Sequence, residues 1–135
     1  MDSLEINSKS RTEFIDITAK VEDIVRKSGV KSGICYLFVP HTTAGITINE
    51  NADPGVVVDI LKELNKIIPF KDGYLHSEGN ADAHIKSTIV GTSLNIFIED
   101  SRLVLGTWQG IFFCEFDGPR RRKVFVKVIA HLFSQ

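Results

Sequence analysis

From Ile34 to Val39 six apolar residues follow one another without a break, and Pro40 ends the run. Six residues is the usual length of a strand and too short for a core helix, and a proline interrupts ladder pairing. The run therefore reads as a buried β-strand that stops at Pro40. Its backbone N–H and C=O groups need partners, so other strands must flank it. The candidates are the alternating segment Ile46, Thr47, Ile48, and the stretches Ser93 to Glu99, Thr107 to Phe116 and Lys123 to Ile129. Leu4 and Ile6, followed by Phe14, Ile15 and Ile17, suggest a short strand pair at the N-terminus.

Three helices interrupt the strands. Thr18 reads as an N-cap, Val21, Ile24 and Val25 fall at helical spacing, and Gly29 can supply the left-handed residue that closes the helix. Asp53-Pro54 combines a capping acid with proline at the first helical position, and a helix from there to about Ile68 places Val57, Ile60, Leu61 and Leu64 on one face. Ala81 to Val90 reads as a short helix ended by Gly91, after a polar, turn-prone loop over Asp72 to Asn80. Strands dominate and helices do not alternate regularly with them, which makes the class α+β. No repeat or linker divides residues 1–135, so one domain is expected.

Charge narrows the function. A net charge of -1 disfavours general attraction to nucleic acid or anionic lipid, while leaving room for a local basic patch that grips a small anion. The first residues lack a signal-peptide pattern and no apolar stretch is long enough to span a bilayer, so a cytoplasmic protein is expected. Cys35 and Cys114 are far apart, each within an apolar run, and read as buried reduced thiols.

Three of the four histidines, His41, His76 and His84, occur among polar residues, whereas His131 lies in an apolar tail. Three neutral imidazoles suit zinc or a related divalent ion and leave a position open for water or substrate, so this set is the candidate metal site. Helical spacing does not join them, and folding has to. Glu50 and Asp53 follow His41, and Asp82 lies between His76 and His84. These are the candidate catalytic acids, with Asp82 the preferred general base and Asp53 also explained by helix capping. Thr43 lies beside His41, and Trp108 and Gln109 follow Gly106-Thr107. The indole offers a stacking face to a flat heterocycle. Asp117-Gly118-Pro119 reads as a turn, after which alternation points Arg120 and Arg122 to one face, where they can grip phosphate.

The segments His41 to Pro54, Gly79 to Lys86, Leu105 to Gln109 and Glu115 to Arg120 resemble, in order, those of the YjbQ-like family, also called secondary thiamine-phosphate synthases. The resemblance implies a two-sheet sandwich of mostly antiparallel strands with two or three helices, assembled as a homotrimer. It implies a thiamine-phosphate synthase activity that joins hydroxymethylpyrimidine diphosphate to thiazole phosphate and releases pyrophosphate. A small phosphorylated substrate then meets Thr43, Trp108, Gln109, Arg120 and Arg122. Three imidazoles favour zinc or a similar ion, while magnesium would come with the diphosphate. The other readings are a metal-dependent hydrolase and a non-catalytic trimeric module that binds a metal or ligand.

Overall fold

The computed structural model describes residues 1–131. In chain order the elements are β1 (Asp2–Asn7), β2 (Glu13–Asp16), α1 (Thr18–Ser28), β3 (Gly33–Phe38), β4 (Ala44–Glu50), α2 (Pro54–Ile67), α3 (Ala81–Val90), β5 (Ser93–Glu99), β6 (Arg102–Leu103), β7 (Gln109–Glu115) and β8 (Arg121–Ala130). They build two antiparallel sheets, one of five strands in the order β1-β8-β3-β5-β6 and one of three in the order β2-β7-β4. This is the α+β, two-sheet arrangement with three helices that the sequence implies.

The inner faces of the two sheets meet in the main core. Ile6, Cys35, Leu37, Ile96, Ile98, Val124 and Val126 come from the large sheet, Ala44, Ile46, Ile111 and Phe113 from the small one, and Val21 and Val25 of α1 join them. Burying one such side chain stabilises the fold by about 1.5–3 kcal/mol before chain entropy is subtracted. On the other side of the small sheet, Phe112, Cys114, Phe116 and Ala83 form a second cluster with Phe14, Val57, Leu64 and Val90 against it. The layers therefore run α2 and α3, small sheet, large sheet. Both cysteines are free and buried, and burial pushes the Cys35 thiol up to about 11 and that of Cys114 higher still.

Among the described residues, no layer covers the outer face of the large sheet. Tyr36, Phe38, Phe97 and Ile129 are 42%, 49%, 65% and 46% exposed. The run Ile34 to Val39 is thus buried on one face only, because no other described element covers its alternate side chains. The N-terminal strand pair also needs correction. β1 pairs with β8 and β2 with β7, so the two strands enter different sheets and never meet in a hairpin. Thr18 is the first helical residue and makes no cap; its hydroxyl sits 2.6 Å from Asp16 Oδ1 and accepts the Ile111 amide at 2.8 Å. Gly29 does close α1, at φ 73°, a conformation in which glycine avoids the Cβ penalty. Asp53 caps α2 by accepting the Gly55 amide at 2.9 Å.

Candidate functional site

Continued for two residues, the register Phe38↔Phe125 would set Pro40 opposite Lys123. Proline has no N–H to offer and the chain leaves the sheet there. The imidazole of His41 fills the gap, its Nε2 accepting the Lys123 amide at 2.9 Å. A nitrogen that accepts is unprotonated, so in the neutral ring Nδ1 carries the proton. Burial is the largest influence pushing the His41 ring toward its neutral form; the positive charge of Arg122 adds to it, with Glu115 opposing.

The His41 ring forms part of the wall of two adjoining hollows. One, of about 500 Å³, is lined by Phe38, Val39, Pro40, His41, Thr42, Thr43, Thr92, Arg120 and Arg122. The other, of about 380 Å³, is lined by His41, Thr42, His84, Ser87, Thr88, Gly91 and Thr92, with no Asp, Glu, Lys or Arg among them. The Ser87 hydroxyl, 2.6 Å from the Thr42 carbonyl, ties α3 to the His41 loop.

Beneath the first hollow lies a buried ion pair. Arg122 donates from Nε to Glu115 Oε1 at 2.9 Å and from Nη2 to Thr43 Oγ1 at 2.8 Å. Glu115 also accepts the Ser8 hydroxyl at 2.7 Å and the Asp117 amide at 2.9 Å. Burial alone would raise the Glu115 carboxyl; Arg122, Ser8 and the Asp117 amide outweigh it and hold the group below the ordinary value. Arg122 and Arg120 do not share a direction as alternation suggested. β8 starts only at Arg121, and Arg120, outside the strand, curls back onto Asp117 with Nε 2.9 Å from its carbonyl and Nη2 3.0 Å from Oδ2. Arg122 is a strut turned inward, and Arg120 is the half-exposed guanidinium at the rim.

The expected metal set comes together in part. His76 and His84 meet edge to face with ring centroids 5.1 Å apart, and His84 shares a hollow with His41. Among the described residues, however, no group of three or more His, Cys, Asp or Glu side chains is arranged to hold a metal ion. The Nε2 of His41 is already committed to the sheet, so three imidazoles around one ion do not fit this arrangement of a single chain.

Asp82 is not placed as a free base. It is fully buried, its two oxygens take both Nη groups of Arg11 at 3.1 Å, and Lys86 Nζ lies 3.0 Å away. Burial pushes its pKa up, but the hydrogen bonds and charges of Arg11 and Lys86 prevail and depress it, which makes it a poor proton acceptor. Glu50 and Gln109 face each other at the far end of the small sheet, next to the cap residue Asp53 and the 63% exposed Trp108. Gln109 and Glu115 lie six positions apart on β7, roughly 20 Å at strand spacing. Within one chain the expected residues thus divide between two ends: His41, Thr43, His76, His84, Arg120 and Arg122 at one, Glu50, Asp53, Trp108 and Gln109 at the other.

Sequence reasoning passed over Ser8, Arg11, Lys86, Thr92 and Glu115. The signals available were a single acid in the apolar run Ile111 to Phe116, and a lysine four residues after Asp82 on a helix with small neighbours.

A two-sheet core with a helical layer on one side, and a polar, basic-rimmed hollow where a strand ends, describe an α+β protein of one compact type. The model of the UPF0047, YjbQ-like family matches residues 2–131, and the chain belongs to that family. The UPF0047 protein of Methanocaldococcus jannaschii is 55% identical, over 93% of this chain and 91% of its own. UPF0047 protein YugU of Bacillus subtilis is 48% identical over 96% and 98%. A crystal structure of an uncharacterized YjbQ/UPF0047 family protein from Clostridium acetobutylicum superposes with a TM-score of 0.94 at 54% identity, covering 96% of this chain and all, 100%, of that one. A YbjQ-like protein of unknown function from Sulfolobus solfataricus gives 0.92 at 38% identity, with 96% of each chain covered.

Proposed function

We propose that the hollow rimmed by Arg120 binds a small phosphorylated substrate and that the protein is a transferase of the thiamine-phosphate synthase type. The observation that carries this reading is the neutral His41 ring shared by two adjoining hollows, one bearing guanidinium groups and one with no Asp, Glu, Lys or Arg in its wall. A reaction that joins two molecules and releases a diphosphate needs both kinds of space. In that reaction the bond between the pyrimidine methylene carbon and the diphosphate oxygen breaks, the thiazole nitrogen bonds to the methylene carbon, and pyrophosphate leaves with the electron pair. Arg120 stabilises the departing charge and His41 donates from Nδ1 to an oxygen of the same group, a fixed donor set that needs little rearrangement. Thr43 positions the loop through Arg122. Trp108, Gln109, Glu50 and Asp53 hold no role at this hollow within one chain.

A divalent ion enters the proposal through the substrate's own oxygens, which suit magnesium, or through the His76–His84 pair, which suits a zinc-like ion; the roles given to Arg120 and His41 stand without it. Hydrolysis is the weaker reading, because the carboxylate expected to serve it, Asp82, is saturated with cations. A homotrimer is part of the proposal, supported by the uncovered apolar face of the large sheet, as is a cytoplasmic location, which suits two free thiols. No helix among the described residues is long and apolar enough to cross a membrane.

Steady-state formation of thiamine phosphate by the purified protein, with and without added divalent metal, tests the reading. Turnover that falls at least about tenfold in Arg120→Ala and in His41→Ala supports it. Absence of turnover under all metal conditions, with phosphate ligands still bound, would leave the non-catalytic module as the function.

A further inference from the structure

The His41 ring has a third hollow beside it. This one, of about 190 Å³, is lined by Glu5, Asn7, His41, Arg121, Arg122 and Lys123. It opens where β1 and β8 run side by side, with Glu5 opposite Lys123 and Asn7 opposite Arg121. All four of those residues are exposed, while Ile6 and Arg122 between them are buried, so the four share the outer face of the large sheet. Arg121 and Lys123 are two apart on one strand, which sets their side chains roughly 7 Å apart on that face.

Two arginines, Arg102 and Arg121, make no ion pair among the described residues, and of these Arg121 lines this hollow. Arg11, Arg26, Arg120 and Arg122 each pair with a carboxylate. Lys123 makes no ion pair among the described residues either, although Glu5 stands across from it. Arg122, though it helps line the hollow, is already neutralised by Glu115. Two unpaired cations facing one carboxylate leave a surplus positive charge at a concavity of a few waters' volume.

We propose that this hollow is a second anion subsite, which takes a phosphate-class oxyanion through Arg121 and Lys123 independently of the hollow rimmed by Arg120. A guanidinium with its fork unoccupied binds such an oxyanion in bidentate fashion, and the ammonium adds a point charge. The role of the subsite rests on the proposed function: a joining reaction between two phosphorylated molecules presents two anions, and His41 stands between places for both. Glu5 opposes the bound charge, so its removal tightens binding.

Pyrophosphate titrated into the full-length protein tests this, with calorimetry for stoichiometry and amide shifts of Asn7 and Thr92 to report the two hollows separately. The expected result is two equivalents per chain, with both amides shifting. Arg121→Gln/Lys123→Gln weakens the phase seen at Asn7 by about tenfold or more and leaves that at Thr92 in place. Glu5→Gln tightens the Asn7 phase by about threefold. One equivalent in the unaltered protein, an Asn7 phase indifferent to the double substitution, or a looser Asn7 phase in Glu5→Gln overturns the proposal. Arg120→Gln separates the two claims. If it leaves the Thr92 phase intact while the double substitution removes the Asn7 phase, the first hollow has been misassigned and the second subsite stands.

Discussion

Two buried ion pairs among the described residues hold this molecule together, and they are anchored in opposite ways. Glu115 and Arg122 sit on neighbouring ends of β7 and β8 and reach out to Ser8 after β1 and Thr43 before β4, so the pair draws together segments up to 107 residues apart. Asp82 and Lys86 are four apart on one helix, and their further partners, Arg11 and Asn65, tie α3 to the N-terminal segment and to α2. Arg11 in turn stacks on Phe70 at the start of the loop that carries His76, 4.1 Å from the ring centroid. The first pair sets where strand ends meet and so shapes the floor of the candidate site. The second sets how the helical layer lies and so places His84. A buried charge pair contributes little net stability against an apolar substitute, but losing one partner leaves the other stranded.

Acid should have the largest effect, because it acts on both pairs. Asp82 and Glu115 have folded pKa values below their unfolded ones. Their contribution is therefore fully present above the unfolded values near pH ~4 and is lost as pH falls through the folded values. Urea midpoints measured downward from pH 6 should fall steeply below about pH 4. A midpoint that stays level there would show that neither carboxylate is linked to folding.

Glu115→Ala comes next, with an expected loss of about 4 kcal/mol and broadened amide signals at Thr42, Thr43 and Lys123. Asp82→Asn should cost about 3 kcal/mol, since Lys86 at 1% exposure loses its charge partner. Hydrogen exchange in that variant should accelerate in α3 while β7 and β8 stay protected. Equal acceleration in both layers would erase the distinction between the pairs. The smallest effect belongs to Asp53→Ala, about 1 kcal/mol from the lost cap of α2, with anion binding at the distant hollow unchanged.

Much of the fold was legible because it follows from local periodicity. Alternation and apolar runs located β3, β4, β5, β7 and β8, and Asp53-Pro54 and Gly29 marked helix ends. The partners of β1 and β2 were not legible, since both pair with strands about a hundred residues later, and nothing local records that choice. The two-residue β6 is shorter than any period. At the site, His41 and Thr43 stand out through their polar loop, but the inward turn of Arg122 depends on where β8 begins, a matter of one residue. Asp82 looked available for proton transfer because its two cations arrive from Arg11, far away in sequence, and from a lysine that ordinarily faces water.

The imidazole of His41 doubles as a rung of the large sheet, standing where a strand carbonyl would otherwise be. A proton bound at Nε2 would have to displace the Lys123 amide, so charging the ring and unzipping the sheet margin are one event. The orientation of this ring thus makes the end of β8 sensitive to acid, and any ligand that needs a charged imidazole must first loosen it.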